Sequence, residues 1–542
     1  MRGFPWFVWA LMLAADLVLV ARYGNNFPFQ DDWTLVPVMT GCQDVNWPWV
    51  WYQHNEHRLP LAKLAMVGLG RLSGNNFRAV MFVNVGLLAA AAALLIWATP
   101  STSRRARWTD AFYPLALLHW GHAENLLWAW QIGFTSAVLV VLLWLAVMIR
   151  AGGDDHKHGW ALAIVAVLLP LCGGVGMCFL PFVIVWLACR AFLGKTQKPA
   201  DRYWALASAI AGLLVGALYF RGYTMEHSPP PSTIKEVLEA AIQFFSLALG
   251  MLPSLGWWAT GMAMLVGLTL GLVLLITSLR KSSGSRVVIG GQICFLGGFL
   301  LLAGAIAWSR AGIGVGATMA GRYVTLAALS ACWLYSVVVM DERPFVRRYL
   351  PIVLVALAAG MFWPNTTAGY RHAVGLRQIY SAFKADIAAG MPPVDLTAKY
   401  NTAPQAIGFS YVINRFPGWL VMMHDSGHPE FRRLKSELPS RAINVPASRY
   451  TAEGGRDFVL PSQMFVYAVR LKKNAGTTAG PDGTKLKCGD AAVHTLQDVD
   501  AHTFNVADSA KIAVWWVNQR TSGFDLIPTS VDPNDIEVLI PQ

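Results

Sequence analysis

Charge is what this chain has least of. Charged residues fill 14% of its 542 positions, against roughly 25% in a soluble globular domain. The hydrophobic set takes 55%, and Trp alone occurs 23 times. Because the apolar residues gather in long runs, the composition implies a polytopic α-helical membrane protein. Cysteine is also sparse: Cys42, Cys172, Cys178, Cys189, Cys294, Cys332 and Cys488 lie mostly inside apolar runs, with neither metal spacing nor a disulfide framework. That excludes a cysteine-stapled secreted domain and a zinc ribbon. A small-residue cleavage site is lacking after the run from Phe4 to Val20, and many apolar runs follow, so this run reads as a first membrane helix. The net charge of +12 is dispersed among short loops, which argues against nucleic acid as a partner.

Counting runs long enough to cross about 30 Å of hydrocarbon gives about eleven spans, near residues 4–21, 77–98, 110–121, 131–149, 159–173, 176–192, 203–220, 257–279, 287–308, 323–340 and 350–364. Numbering the loops alternately separates the charges. One side receives Arg104, Arg105 and Arg107; Arg150 and Lys157; Arg190, Lys195, Lys198 and Arg202; Arg280, Lys281 and Arg286; and Arg343, Arg347 and Arg348. By the positive-inside rule this side is cytoplasmic, so the N-terminus is inside and the C-terminus outside. A bacterial inner membrane with a periplasmic outer side is the assumed setting. The first outer loop is then residues 22–76, and its RLPLAKLAMVGLGRL stretch has the spacing of an interfacial helix, as does EVLEAAIQFFSLALGML.

Two domains follow. Residues 1–364 form the membrane module, and residues 365–542, richer in polar and turn residues, form an extracytoplasmic domain. GYRHAVGLRQIYSAFKADIAAG predicts a helix ended by Gly390 and Pro392, whereas residues 464–473, 511–519 and 536–540 are β-branched and aromatic runs. A helical linker followed by a β-sandwich of jelly-roll type is expected, a module suited to glycan binding.

Polar residues that topology does not explain cluster at the outer ends of the spans. PFQDDWTLV carries the adjacent carboxylates Asp31 and Asp32; WYQHNEHRLPL carries His54, Glu56, His57 and Arg58; HWGHAENLLWAWQ carries His119, His122, Glu124, Asn125 and Gln131; and SRAGIGVGATMAGRY is a Gly-rich loop between Arg310 and Arg322. Ionisable groups at a membrane interface are unfavourable unless paired or functional. A carboxylate there suits a general base, and Arg suits the oxygens of a phosphate. Plainer roles compete: an Asp of the pair capping a helix from Trp33, Arg310 and Arg322 snorkelling, and His119 and His122 in a Trp-lined polar network, since their spacing with Glu124 is not a zinc pattern.

An acidic pair after the first membrane helix, a long first outer loop, a multispan core and an outer C-terminal domain together resemble the class C (GT-C) glycosyltransferases, which include protein O-mannosyltransferases, the lipid A aminoarabinose transferase and mycobacterial arabinosyltransferases. Asp31-Asp32 is similar to the catalytic Asp-Glu or Asp-Asp motif of that class, and His57-Arg58-Leu59-Pro60-Leu61 is loosely similar to a His-Pro-Pro-Leu element. The resemblance implies an inverting hexosyl- or pentosyltransferase that uses a sugar on polyprenyl phosphate and an extracytoplasmic acceptor hydroxyl on a glycan, lipid or protein. It makes Asp31 or Asp32 the base and assigns Arg58, His57, Arg322 and Arg310 to the donor phosphate. His54, Glu56, Glu124, Asn125 and Gln131 are left to line the substrate cavity, with room for a divalent cation at the leaving phosphate. Three rivals remain: a lipid-linked sugar flippase or transporter, which would show broken helices and polar groups at mid-membrane depth; a polysaccharide polymerase or ligase; and a non-enzymatic glycan receptor.

Overall fold

Backbone polar groups facing lipid must be satisfied within their own segment, so long apolar runs fold as helices. A computed structural model of the protein describes residues 3–99, 107–151, 159–193, 199–224, 229–251, 256–281, 286–314, 316–401, 407 and 416–435, and strands at 440–443, 447–450, 456–471, 485–489, 502–505, 511–527 and 536–541. Arg104, Arg105, Lys157, Lys195 and Lys198 of the charge argument lie outside them. In order, the helices are α1 (Phe4–Tyr23), α2 (Val36–Met39), α3 (Trp47–Trp51), α4 (Pro60–Ser73), α5 (Phe77–Ala98), α6 (Phe112–Leu117), α7 (Ala123–Leu126), α8 (Ile132–Ala151), α9 (Gly159–Leu171) and α10 (Gly174–Leu193). There follow α11 (Pro199–Phe220), α12 (Ile234–Ser246), α13 (Trp257–Lys281), α14 (Arg286–Ala311), α15 (Val324–Met340), α16 (Pro344–Gly360), α17 (Phe362–Ala388), α18 (Pro393–Tyr400) and α19 (Phe416–Asp425).

Among the described residues, nine helical stretches are long and apolar enough to cross a membrane: α1, α5, α8, α10, α11, α13, α14, α15 and the α16–α17 pair. The protein is thus a helical, membrane-embedded chain. Two of the expected eleven spans differ. The shorter apolar helix α9 occupies the fifth, and the third, expected at 110–121, is no continuous helix. There the chain runs as a 3-10 turn (Trp108–Ala111), α6, a second 3-10 turn (Trp120–His122), α7 and a third (Ala129–Gln131). Such irregular backbone is tolerated at membrane depth where protein encloses it, and nearly every residue from Thr109 to Gln131 is buried.

The chain forms two units, and the boundary differs from the expected 364/365. Unit 1 comprises Met1–Asn25, Trp47–Leu69 and Arg78–Leu376; unit 2 comprises Asn26–Asn46, Gly70–Phe77 and Arg377–Gln542. The acidic stretch that follows α1 therefore folds with the C-terminal region. Aromatic packing is the reason: the Phe27 ring lies 5.6 Å from both Tyr380 and Phe383 and 5.2 Å from Phe431, and such pairs contribute beyond their buried area.

In unit 1, α15 is the most enclosed span, at 89% buried, and packs on α6, α8, α13, α14 and α16. Polar groups pin its surroundings. Asn84 of α5 donates to the carbonyls of Asn125 and Trp128, both at 3.1 Å, and accepts from Thr135 at 3.0 Å. Asp16 of α1 is fully buried, and neither carboxylate oxygen has a hydrogen-bond partner among the described residues.

The strands of unit 2 are β1 (Ser440–Ile443), β2 (Ala447–Tyr450), β3 (Arg456–Leu471), β4 (Lys485–Gly489), β5 (His502–Asn505), β6 (Lys511–Ile527) and β7 (Ile536–Pro541). β3, β6 and β7 cover the three runs read as strands from sequence. The described strands pair in one antiparallel sheet, ordered β1-β7-β3-β6-β4, with β2 on β3 and β5 on β6. The long strands explain this, because β3 pairs with β2 at one end and β7 at the other, and β6 with β4 and β5. Ile536, Val538 and Ile540 are buried, the period-two face of a half-covered strand.

Candidate functional site

In unit 2 the acidic pair sits in a 3-10 turn, Gln30–Leu35. Asp32 has 0% exposure, and its Oδ2 accepts from the Phe29 amide at 3.0 Å, closing the turn from its third position. No helix begins at Trp33, so neither Asp is the N-cap expected from sequence; Asp32 instead reaches back from the third position of a turn that begins before the pair. Asp31, 9% exposed, accepts Thr34 Oγ1 on its carbonyl at 2.7 Å. Trp33, fully buried 4.5 Å from the Phe416 ring, anchors the turn. Just before the pair, Gln30 has φ +46°, a left-handed conformation that β-carbon crowding disfavours by about 1–2 kcal/mol. Strain of this kind gathers at working sites.

In unit 1 the second stretch is a tight turn. His54 and His57 exchange backbone hydrogen bonds of 2.7 and 2.9 Å around Asn55, whose φ of +48° suits Asn. The His54 ring lies 4.8 Å from Trp130, and the Glu56 carbonyl accepts from Tyr223 Oη at 2.8 Å. Burial lowers the His57 pKa, Glu56 raises it and the Arg310 charge lowers it again, with a net downward result. Burial thus disfavours the charged form of the His57 ring.

Arg58 is held by backbone carbonyls through its terminal nitrogens. It is 5% exposed and donates to the Trp51 carbonyl at 2.6 Å and to those of Arg221 and Gly222 at 3.0 and 2.8 Å. Those last two carbonyls follow the C-terminus of α11, so Arg58 works as a helix cap. Lys63 acts similarly, clamping the Trp49 and Tyr52 carbonyls at 3.0 and 2.7 Å, while burial and then Arg58 lower its pKa to about 8.

The remaining candidates form a connected set where α14 ends and α15 begins. Arg322 Nη1 meets Glu124 Oε1 at 3.1 Å, and the Arg322 amide donates to Oε2 at 3.0 Å. Gly321 permits this approach, since a β-carbon there would lie 2.8 Å from Oε2. Arg310 Nε donates to Tyr323 Oη at 2.8 Å, and the Arg322 guanidinium lies 5.3 Å from the Tyr323 ring centre. Asn125 donates to the Arg322 carbonyl at 3.1 Å. The side-chain oxygens of Asn125 and Gln131 are buried with no hydrogen-bond partner among the described residues. Two guanidinium groups therefore stand in one set with the buried acceptor of Asn125.

His119 and His122 belong to a network. Their rings stack at 4.3 Å, and the nitrogens of His122 contact Thr325 Oγ1 at 2.9 Å and the Ala116 carbonyl at 3.0 Å. Among the described residues no three His, Cys, Asp or Glu side chains converge as metal ligands.

Tyr323 and Trp130 were missed from sequence although each adjoins a candidate, Arg322 and Gln131. His372, whose ring feels the charge of Glu124, and Tyr380, which feels that of Asp32, lie hundreds of positions from their neighbours and left no local signal. Comparison with family models, with characterised proteins and with solved structures returned no match.

Proposed function

We propose that the protein is an inverting glycosyltransferase that moves a sugar from a polyprenyl-phosphate donor to an acceptor hydroxyl outside the cytoplasm. The observation that carries this reading is the set in unit 1, where Arg310 and Arg322 accompany the buried side-chain oxygen of Asn125, which has no hydrogen-bond partner among the described residues. Cations suit a phosphate, and buried acceptors suit the hydroxyl groups of a sugar. In that transfer a carboxylate takes the acceptor proton as the acceptor oxygen attacks the anomeric carbon, and the bond from that carbon to the phosphate oxygen breaks; the base is Asp31 on the sequence resemblance alone. The departing phosphate goes from a monoanionic diester to a monoester with one more negative charge, which Arg310 and Arg322 stabilise. Asp32, occupied with the Phe29 amide, holds the turn that presents Asp31.

The test is transfer of radiolabelled sugar from polyprenyl-phosphate donors by the purified full-length chain, wild type against Asp31→Asn. Turnover by wild type and its loss in the folded variant support the reading; undiminished turnover in the variant removes Asp31 from the reaction.

A lipid-linked sugar flippase is the second reading, favoured by the discontinuous 108–131 segment and by buried Asp16, the broken helices and interior polar groups that transporters use. Transbilayer movement of a labelled lipid-linked sugar in proteoliposomes, lost in Asp16→Asn but kept in Asp31→Asn, would select it.

A further inference from the structure

The loop that joins Arg310 to Arg322 is held from the side by α12. Gln243, in the last turn of that helix, is 3% exposed, and its Oε1 accepts from the Gly316 amide at 3.2 Å and from Thr318 Oγ1 at 2.8 Å. Thr318 is itself buried, and Gly316 has φ +89°, a left-handed conformation that glycine takes without steric strain. The next residue of α12, Phe244, is fully buried, with its ring centre 6.5 Å from that of Tyr323, to whose hydroxyl Arg310 donates. Ala240 packs with Ala307 and Ala311, which seats α12 on the end of α14 that carries Arg310. Gly312 lies against the Pro229 and Pro230 carbonyls, just ahead of α12, too closely for a β-carbon. All of these residues belong to unit 1.

We infer that Gln243 is a positioning residue, which holds the loop at Gly316 and Thr318 and so fixes where the guanidinium groups at its two ends stand. The assignment rests on the transferase reading for the chemistry those groups perform. A loop with glycine at 312, 314, 316 and 321 loses much conformational entropy on ordering. Two hydrogen bonds to one buried acceptor offset part of that loss. A guanidinium stabilises charge developing on a phosphate only if it is already in place when the bond breaks. Because that charge forms in the transition state, displacing the arginines lowers kcat more than it raises KM for the donor.

The test is hydrogen–deuterium exchange of the full-length protein, read over residues 312–323, beside steady-state transfer of radiolabelled sugar from polyprenyl phosphate. It compares wild type with Gln243→Leu, which removes the acceptor, Gln243→Glu, which keeps it, and Thr318→Val, which removes one of the two donors. Folding of each is checked by its melting profile. Gln243→Leu is expected to exchange about tenfold faster over this stretch and to lose about tenfold in kcat, the equivalent of one hydrogen bond, with donor KM within about twofold of wild type. Thr318→Val should shift both in the same direction by less, and Gln243→Glu should restore both. Unchanged exchange in folded Gln243→Leu and Thr318→Val, or faster exchange with kcat intact, would overturn the assignment. Wild type that transfers no sugar defeats the transferase reading by itself. Exchange that quickens in Gln243→Leu and recovers in Gln243→Glu then still keeps Gln243 as the residue that places the loop, and unchanged exchange removes it.

Discussion

Asp32 in unit 2 and Glu124 in unit 1 are carboxylates from stretches that sequence marks as equally promising, yet they are satisfied by different partners. Asp32 accepts from a backbone amide three residues back and builds a turn, whereas Glu124 holds a guanidinium and its backbone amide from a helix about 200 positions away. A carboxylate that answers its own backbone shapes the chain; one that answers a distant cation shapes the field. The same split divides the arginines. Arg58 answers carbonyls and is structural, and Arg322 answers a charge and stays partly exposed, at 31%.

Substitutions can break this comparison. The largest effect is expected for Asp31→Asn, with transfer reduced about 10³-fold, as loss of a general base implies, and little change in melting. Asp32→Asn should instead lower stability by about 1 kcal/mol through the weakened turn bond, with activity falling only as folding does. A labelled-sugar assay beside a thermal melt separates the two. Arg58→Leu should cost about 3 kcal/mol of stability, because three carbonyls lose a charged donor, and Arg58→Lys should recover little, since an ammonium lacks the fork. Arg322→Gln should lower kcat about 30-fold at unchanged melting, with Lys again a poor substitute, as removal of one charge-assisted hydrogen bond predicts.

The smallest effect is that of pH. Burial lowers the pKa of His57 in unit 1 and of His428 in unit 2 below 6.5. Between 6.5 and those lowered values the unfolded chain binds more protons than the folded one, so stability is present above this window and lost as pH falls through it. A melting midpoint that declines from pH 7 to 5.5 is expected, with a shallower decline in His57→Gln and in His428→Gln. A flat profile in the wild type would contradict the burial of both rings.

Much of this was legible in the sequence. Hydrophobic length located nine spans, and β-branched and aromatic runs pointed to β3, β6 and β7. What sequence concealed was partnership. The run at 110–121 is apolar enough to pass for a span, and only Asn84 from α5, Thr325 from α15 and Arg322 from the turn before α15 reveal why it need not be a helix. Phe27 gave no sign that it packs on Tyr380 and Phe431 and so draws the acidic turn into unit 2. Arg58 beside His57 looked like a phosphate clamp because its carbonyl partners at Arg221 and Gly222 carry no side-chain signature.

The enclosed, irregular segment from 108 to 131 also has a consequence for biosynthesis. His122 and Asn125 find their partners at Thr325 and Arg322, 203 and 197 positions downstream. At translation speeds of about 5–20 residues per second, those partners emerge roughly 10–40 s later. For that interval the segment has turns whose polar groups lipid cannot satisfy, so the insertion machinery must shelter it until α15 arrives. A truncation ending before α15 should therefore leave residues 108–131 open to protease or to an insertase cross-link, and extension past Tyr335 should close it.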